Sequence, residues 1–249
     1  MKKILIFLFI IVSATIFAQE DKYYGEQELD VNSKKKTETN SDFQRFRIGA
    51  YVGYSLRTGF ISPNISSEER DYMRSLLHGF NLGANATFFI KKFWGIGLEY
   101  EFNHFATNKY IPVSDNAGTV LNLTDKITLN QALIMFNFRF KSKKLDNSYL
   151  FLAIGLGYIN YYDRCHTDFN VHLLSEVGNT ICETTRVGYE FGISKRVGFF
   201  LQASLNAGIL FFTTIKNETT GEQIRVNCLR DYGNTLGLGR LEFSAGIRF

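Results

Sequence analysis

Apolar and polar residues alternate with a period of two through most of the chain, and this pattern constrains the fold more than any other feature. Between Arg45 and Leu56 the even positions are apolar or aromatic, whereas the odd positions are charged, small or polar. Such alternation predicts a β-strand with two unlike faces. The pattern recurs in eight segments, at about residues 45–56, 79–90, 94–103, 126–141, 149–162, 186–193, 198–209 and 240–249.

The connections between these segments alternate between long and short. The long polar ones are residues 57–78, 106–125, 164–184 and 212–233, and the short ones are residues 91–92, 142–148 and 195–196. Strands of about 10 residues, with short turns at one end and long loops at the other, are typical of outer-membrane barrels. We therefore predict an all-β fold, an eight-stranded antiparallel transmembrane β-barrel. Its strands would form an up-and-down meander with short periplasmic turns and long extracellular loops.

A soluble β-sandwich would also contain alternating strands, but its outward face would be charged. Here the polar face of the strands carries Gly, Ser, Asn and Gln with isolated Arg and Glu, while most Lys residues lie in turns, loops and the amino-terminal segment. Small residues and paired charges suit the crowded interior of a narrow barrel. The sequence therefore favours the barrel, with the apolar face turned towards lipid.

An aromatic fraction of 15% is consistent with a lipid-facing surface, because two aromatic belts flank the apolar band of such barrels. We expect one belt near the short turns, formed by Phe46, Phe88, Trp94, Phe138, Phe140, Phe199 and Phe249. We expect the other near the long loops, formed by Tyr54, Phe80, Phe102, Tyr158 and Tyr189.

The first 42 residues differ in composition from the predicted barrel. Residues 1–18 combine Lys2 and Lys3 with an apolar run and a terminal Ala18, which predicts a secretory signal peptide. Residues 19–42 are rich in charge and poor in large apolar side chains, so we expect a flexible periplasmic leader. The barrel domain would span residues 43–249. Without the signal peptide, basic and acidic residues nearly balance, which gives no support for nucleic acid as a partner.

The last nine residues alternate up to a terminal aromatic residue, with Phe243, Ala245, Ile247 and Phe249 on one face. This segment resembles the carboxy-terminal signal that the barrel-assembly machinery recognises. Together with the signal peptide and the eight segments, residues 43–249 resemble the OmpA/OmpX-like superfamily, the outer membrane protein β-barrel domain. The resemblance implies a multi-pass protein of the bacterial outer membrane, a monomer whose partners are outer-membrane lipid and the assembly machinery. It implies no particular activity, because fold alone does not define function.

Charged residues on the polar face would meet inside the barrel. They are Arg45, Arg47, Arg139, Arg186, Arg240 and Arg248, with Glu99, Glu101, Glu190 and Glu242. Charges in an enclosed lumen are costly unless they are paired, so we expect Arg–Glu bridges across the interior. An eight-stranded barrel is just wide enough to be filled by its own side chains, which favours a plugged lumen over a conducting path or a proton relay.

Three cysteines outside the reducing cytosol favour one disulfide and one free thiol. Cys165 and Cys182 fall in the same predicted loop and are the first choice, and Cys228 with either of them is the competing pairing. The four histidines lack the spacing of metal ligands, so we predict no metal and no cofactor. His104 is the one candidate for a lipid A-modifying enzyme, but residues 103–107 lack the serine two positions on that deacylase-like barrels show.

The first long connection contains a predicted helix. Ser66 and Glu69 have the spacing of a capping box, and Tyr72, Met73, Leu76 and Leu77 follow on one side. We expect this helix to pack across the barrel mouth. Other apolar residues of the long loops, among them Tyr110, Ile111, Phe169 and Leu173, are candidates for contact with a partner.

Three functions remain open on the sequence. The first is a non-enzymatic surface protein that supports the envelope or binds a ligand or partner protein through its loops. The second is a channel for small or hydrophobic solutes, as in OmpW-like barrels. The third is a lipid A-modifying enzyme. We favour the first, because the lumen is predicted to be filled.

Overall fold

A computed structural model describes residues 44–59, 66–112, 120–142, 145, 147–167, 174–194, 196–231 and 236–249 of the 249-residue chain. The predicted signal peptide, the predicted leader, Phe169 and Leu173 lie outside the described residues, as do the side chains of Tyr110 and Ile111. The described chain forms eleven strands and two helices. In order they are β1 (Phe46–Arg57), α1 (Ser67–Ser75), β2 (His78–Phe89), β3 (Trp94–Pro112), β4 (Val120–Lys141), β5 (Tyr149–Thr167), β6 (Leu174–Gly192), β7 (Gly198–Leu210), β8 (Phe212–Asn217), β9 (Gln223–Asn227), α2 (Cys228–Asp231), β10 (Leu236–Gly237) and β11 (Arg240–Arg248).

Eight of the strands close into an antiparallel barrel, as the sequence predicts. Neighbouring strands pair in chain order from β1 to β7, and β11 pairs with β7 on one side and with β1 on the other. At the junction the backbone N–H of Phe249 donates to the carbonyl oxygen of Ile48 at 2.8 Å. Closure matters because an open sheet edge would leave backbone groups unpaired in lipid.

The two faces of each strand differ in the predicted sense. On β1 the inward residues Arg47, Tyr51 and Ser55 are buried, while the outward residues Phe46 and Val52 are more than half exposed. Apolar side chains thus cover the outside and polar ones fill the inside, the reverse of a soluble barrel. This arrangement is stable only where lipid surrounds the outer wall.

Four of the strands are longer than the sequence analysis predicts. β3, β4, β5 and β6 have 19 to 22 residues each, whereas about 10 suffice to cross the bilayer. The connections predicted at residues 106–125 and 164–184 are therefore largely strand, and residues 212–233 contain β8, β9 and α2. The predicted short turns at the other end are confirmed.

The extra length was missed because the apolar face changes sides along each long strand. On the part of β4 nearer the short turns the outward residues are apolar, as at Ile134 and Phe136. Further towards the long connections the outward Thr128 is polar, and the inward Ile127 and Leu129 are apolar and buried. Beyond the membrane the outer wall faces water, so the barrel there has an ordinary apolar core.

Candidate functional site

The centre of the lumen is a buried polar layer around Arg186 of β6. Its Nη2 lies 2.5 Å from Oε1 of Glu99, and its Nε donates to Oγ of Ser204 at 2.9 Å. The hydroxyl of Tyr51 lies 2.8 Å from a Glu99 oxygen and 2.7 Å from a Glu101 oxygen, so it can donate to either. These residues come from strands on opposite sides of the barrel, and together they span the lumen.

Arg240 of β11 extends this layer towards the extracellular side. Its Nε donates to Glu242 at 2.9 Å, its Nη1 donates to the Leu238 carbonyl at 3.1 Å, and its Nη2 donates to Gln131. Nη2 also lies 3.5 Å from Glu101, which joins the two arginines through one carboxylate. The layer therefore combines two arginines with three glutamates in one connected network.

A second charged layer lies nearer the short turns. Glu190 forms ion pairs with Arg47, at 3.3 Å, and with Arg248, at 2.5 Å. The guanidinium of Arg139 lies 3.7 Å from the centre of the Phe89 ring and donates to the carbonyls of Lys92 and Gln44. Aromatic rings and ion pairs thus fill the periplasmic end of the lumen.

Nine of the ten charged residues assigned to the lumen from sequence are buried inside the barrel, and Arg45 is the exception. Arg45 is exposed because it precedes β1 at the barrel rim, where its backbone oxygen accepts from Phe89. The alternation of residues along β1 predicts an inward side chain for Arg45, but it does not show that the barrel ends before this residue.

Above the polar layer an apolar plug closes the extracellular half of the lumen. Its buried side chains include Phe105, Ile127, Leu129, Ile159, Leu210 and Leu238, and Leu76, the C-cap residue of α1, belongs to the same cluster. Each of these residues is at most 8% exposed. The plug is the core of the barrel part that extends beyond the membrane.

Helix α1 covers the plug. The predicted capping box is confirmed, since the Ser66 hydroxyl accepts from the Glu69 N–H and the Glu69 carboxylate accepts from the Ser66 N–H. Tyr72 donates to Asp125 of β4 at 2.7 Å, and the Ser75 hydroxyl lies 2.6 Å from that of Thr107 on β3. The helix therefore packs across the mouth as predicted, although Met73 is 44% exposed.

Under α1, two carboxyl groups lie in one buried cluster at the extracellular mouth. Tyr161 donates to Asp163 at 2.7 Å, as Tyr72 does to Asp125. Burial and the neighbouring Asp125 carboxyl raise the pKa of Asp163 to about 8. Glu176, opposite Asp163 on β6, contributes in the same direction. At neutral pH the Asp163 carboxyl therefore keeps a proton that a solvated carboxyl would release.

Because of this proton, we expect the stability of the folded protein to depend on pH. The ordinary pKa of Asp163 is 3.8 and its folded value is about 8, so the folded state retains a proton that the unfolded state loses in this interval. Stability should therefore fall as pH rises from about 4 to about 8, and then level off. Asp163→Asn should flatten the slope and stabilise the protein at pH 8 by about 1–3 kcal/mol. Urea unfolding in detergent from pH 5 to 9 measures both.

The matched control for that prediction is Asp231→Asn, at a carboxylate of α2 that is bonded to the exposed Arg230 side chain. It should leave the pH slope unchanged. An Asp163→Asn protein with the same slope as the wild type would show that another group causes the pH dependence.

The predicted disulfide between Cys165 and Cys182 is wrong, because all three cysteines are free. Cys182 lies opposite Gly157 on β5, whereas Cys165 is eight residues further along the same strand. Eight residues of extended chain span about 26 Å, far beyond the reach of a disulfide. The prediction placed both cysteines in a loop that closes on itself, but this stretch is the paired ends of β5 and β6.

His104 lies on the outer wall and not in the lumen. Its ring packs against Phe80 and Phe102, and its Nδ1 lies 3.3 Å from the Thr128 hydroxyl. These contacts place His104 in the aromatic belt on the extracellular side. Among the described residues, no group of three or more His, Cys, Asp or Glu side chains could hold a metal ion.

The two aromatic belts are present with one correction. Tyr54, Phe80, Phe102 and Tyr158 lie on the outer wall towards the extracellular end, as predicted. Tyr189 lies at the opposite end, three residues before the end of β6, and packs against Phe191. It was misplaced because β6 begins twelve residues earlier than the predicted segment.

A closed barrel with an apolar outer band, two aromatic belts and a charged interior defines an integral outer-membrane β-barrel protein. No helix in the described part of the chain has the length and apolar character that a membrane crossing requires. The four residues assigned to the assembly signal lie on the lipid-facing wall of the terminal strand. Their recognition by the assembly machinery stays a prediction.

Solved structures of outer-membrane proteins are similar to this chain. A major outer membrane protein of Thermus thermophilus has a TM-score of 0.50 at 9% identity, covering 83% of this chain and 100% of that one. OprG of Pseudomonas aeruginosa has a TM-score of 0.45 at 10% identity, covering 84% and 98%. Ail of Yersinia pestis has a TM-score of 0.44 at 14% identity, covering 83% and 100%. No protein-family model and no curated protein matches the chain. At these identities the likeness concerns the fold.

Proposed function

We propose that this protein is a non-conducting, non-enzymatic barrel that supports the envelope and presents its extracellular part for binding. The observation that carries the proposal is the filling of the lumen by three successive layers of side chains. Glu190 with its arginines fills the periplasmic end, the Arg186 network fills the middle, and the apolar plug under α1 fills the extracellular end.

The middle layer is the strongest barrier to an ion or a solute. The Arg186 and Glu99 side chains are 3% and 1% exposed, and each bonds to partners on other strands. A permeating ion would have to break charge-assisted hydrogen bonds in a low-dielectric space, where they are stronger than in water. The plug adds a dry apolar segment above.

The extracellular part has the rigidity that suits a binding surface. Long strands carry the barrel wall well beyond the membrane, α1 is fixed to β3 and β4, and the β8–β9 hairpin pairs with β6. Binding residues are often presented by segments that a rigid scaffold positions. This supports a role in contact with a ligand or partner at the cell surface.

Planar-bilayer recording tests the proposal. We expect the wild-type protein to give no stable conductance steps. Tyr72→Ala/Leu76→Ala, which loosens α1, should also be silent because the Arg186 layer lies below it. Reproducible steps from the wild type would refute a plugged lumen. Steps from the loosened variant alone would instead support a channel that α1 closes. Unboiled gels, on which a folded barrel migrates anomalously, verify that both proteins are folded.

A further inference from the structure

A row of basic side chains crosses one side of the outer wall above the aromatic belt. Lys126 on β4 is directly opposite Arg164 on β5, Arg164 is opposite Ser175 on β6, and Ser175 is opposite Lys216 on β8. Neighbouring strands are about 4.8 Å apart, so the row is about 15 Å wide. Arg225 of β9 lies two residues nearer the membrane than Lys216, opposite Thr214.

The row faces outward. Lys126, Arg164 and Arg225 are exposed and Lys216 is partly exposed, while Asp125 and Ile127, the chain neighbours of Lys126, are buried in the lumen. Arg164 is six residues beyond the outward Tyr158 on β5, which belongs to the extracellular belt. With strands tilted by about 40°, this places the Arg164 backbone about 15 Å above the belt. The side chain reaches back, because its Nη2 donates to the hydroxyl of Tyr162 at 2.8 Å.

The row carries a net positive charge. Lys126, Arg164, Lys216 and Arg225 supply four cations. Glu218 accepts from Lys216 and from Ser175, both at 2.7 Å, and Glu222 lies at the hairpin tip. Arg164 uses two of its five N–H donors on Tyr162, so donors for an anion remain. The Tyr162 hydroxyl accepts from Arg164 and can donate its own proton to the same anion.

The neighbouring strand β3 differs from the row at the same height, where its Ala106 is opposite Lys126. Above Phe102 the outward residues of β3 are His104, Ala106 and Asn108, none of which carries a permanent charge. On this side the row therefore ends at β4, and its four cations lie on β4, β5 and the β8–β9 hairpin. A surface adapted only to water would carry acids and bases interspersed.

We propose that Lys126, Arg164, Lys216 and Arg225 form a docking site for phosphoryl groups of the outer-leaflet glycolipid. The aromatic belt below the row marks the edge of the apolar band, and the Arg164 side chain reaches back towards this belt, so the sugar and phosphate groups of the outer-leaflet glycolipid are the groups that the row would meet. Phosphorylated sugars match its chemistry, since Arg and Lys bind phosphate through charge-assisted hydrogen bonds. The site is independent of whether the lumen conducts.

The test uses the full mature protein, folded in detergent and titrated with bisphosphorylated lipid A, with binding followed by native mass spectrometry. Each cation near an anionic lipid surface contributes about fivefold to affinity, so Lys126→Gln/Arg164→Gln/Lys216→Gln should bind about 100-fold more weakly. The matched control is Lys91→Gln/Lys92→Gln/Arg196→Gln, which removes the same charge from the short turns. The control should bind as the wild type does, and dephosphorylated lipid A should bind weakly to all three proteins.

Several outcomes would overturn the proposal. They are equal affinity of the wild type and the triple variant, equal loss in the control variant, or equal binding of dephosphorylated lipid A. Tight binding of inorganic phosphate alone would show a free-anion site instead. If the triple variant does not fold, the single variants Lys126→Gln and Lys216→Gln decide the question in the same assay, with an expected loss of about fivefold each.

Discussion

Arg186→Met should destabilise the folded barrel by about 3–5 kcal/mol, the cost of leaving a buried charge without its partner. Arg186 contacts Glu99 through two nitrogens and also contacts Ser204, Tyr51 and Glu101. Methionine is unbranched and fills much of the space of the arginine stem, so most of the lost stability reflects the unpaired carboxylates rather than a cavity. The measurement is urea unfolding in detergent micelles, followed by tryptophan fluorescence and by gel mobility without boiling.

Two further variants separate the buried charge from the lost contact. Arg230→Met removes an exposed arginine paired with Asp231 and should cost at most about 1 kcal/mol. Arg186→Met/Glu99→Gln removes both partners and should recover part of the stability, because the uncompensated carboxylate is gone. An Arg186→Met protein as stable as the Arg230→Met protein would contradict the view that the central layer depends on this pair.

Gly157→Ala should impair folding of the barrel, with a loss of about 3 kcal/mol or more, because the added methyl group meets backbone and not side chain. A Cβ at Gly157 would lie 2.8 Å from the carbonyl carbon of Ala132 and 2.8 Å from the Cα of Leu133. These atoms belong to β4, the pairing partner of β5. The two strands would have to separate, since no rotamer change can relieve the contact.

Gly237→Ala is the matched control, since a Cβ there has no atom within 4 Å. It should change the free energy of unfolding by less than about 0.5 kcal/mol. The folded fraction after refolding into lipid vesicles, read from unboiled gels, compares the two variants. Equal yields would show that the β4–β5 pair can accommodate a side chain at Gly157.

The lumen network shows how far sequence reasoning reaches into the site. Parity along each strand places Glu99, Arg186 and Arg240 on the inward face, because the side-chain period of a strand is two. It does not show which arginine meets which glutamate. β3 and β6 are not neighbours, and their side chains meet across the lumen at a height that the register of the intervening strands fixes.

The errors in strand length, in the cysteine pairing and in the place of Tyr189 have one common cause, the position of the membrane boundary along each strand. An outward apolar face with a polar inward face identifies a strand only where lipid surrounds the barrel. On β5 the apolar residues change from the outer to the inner face between the outward Tyr158 and the buried Ile159. The sequence analysis predicts the residues beyond this point as loop. Cys165 and Cys182 therefore fall in one predicted loop, and Tyr189 falls in the wrong aromatic belt. Pairing to the next strand continues because every backbone group there still needs a hydrogen-bond partner.

The sequence by itself determined the class of fold, the eight barrel strands, the inward charges and the capped helix. Each of these follows from local periodicity or local hydrogen bonding, which a single segment can express. Only the tertiary structure decided the pairing of Arg186 with Glu99, the proton kept by Asp163 and the basic row from Lys126 to Lys216. All three depend on strand register and barrel closure, because these place residues far apart in the chain at the same height of the wall.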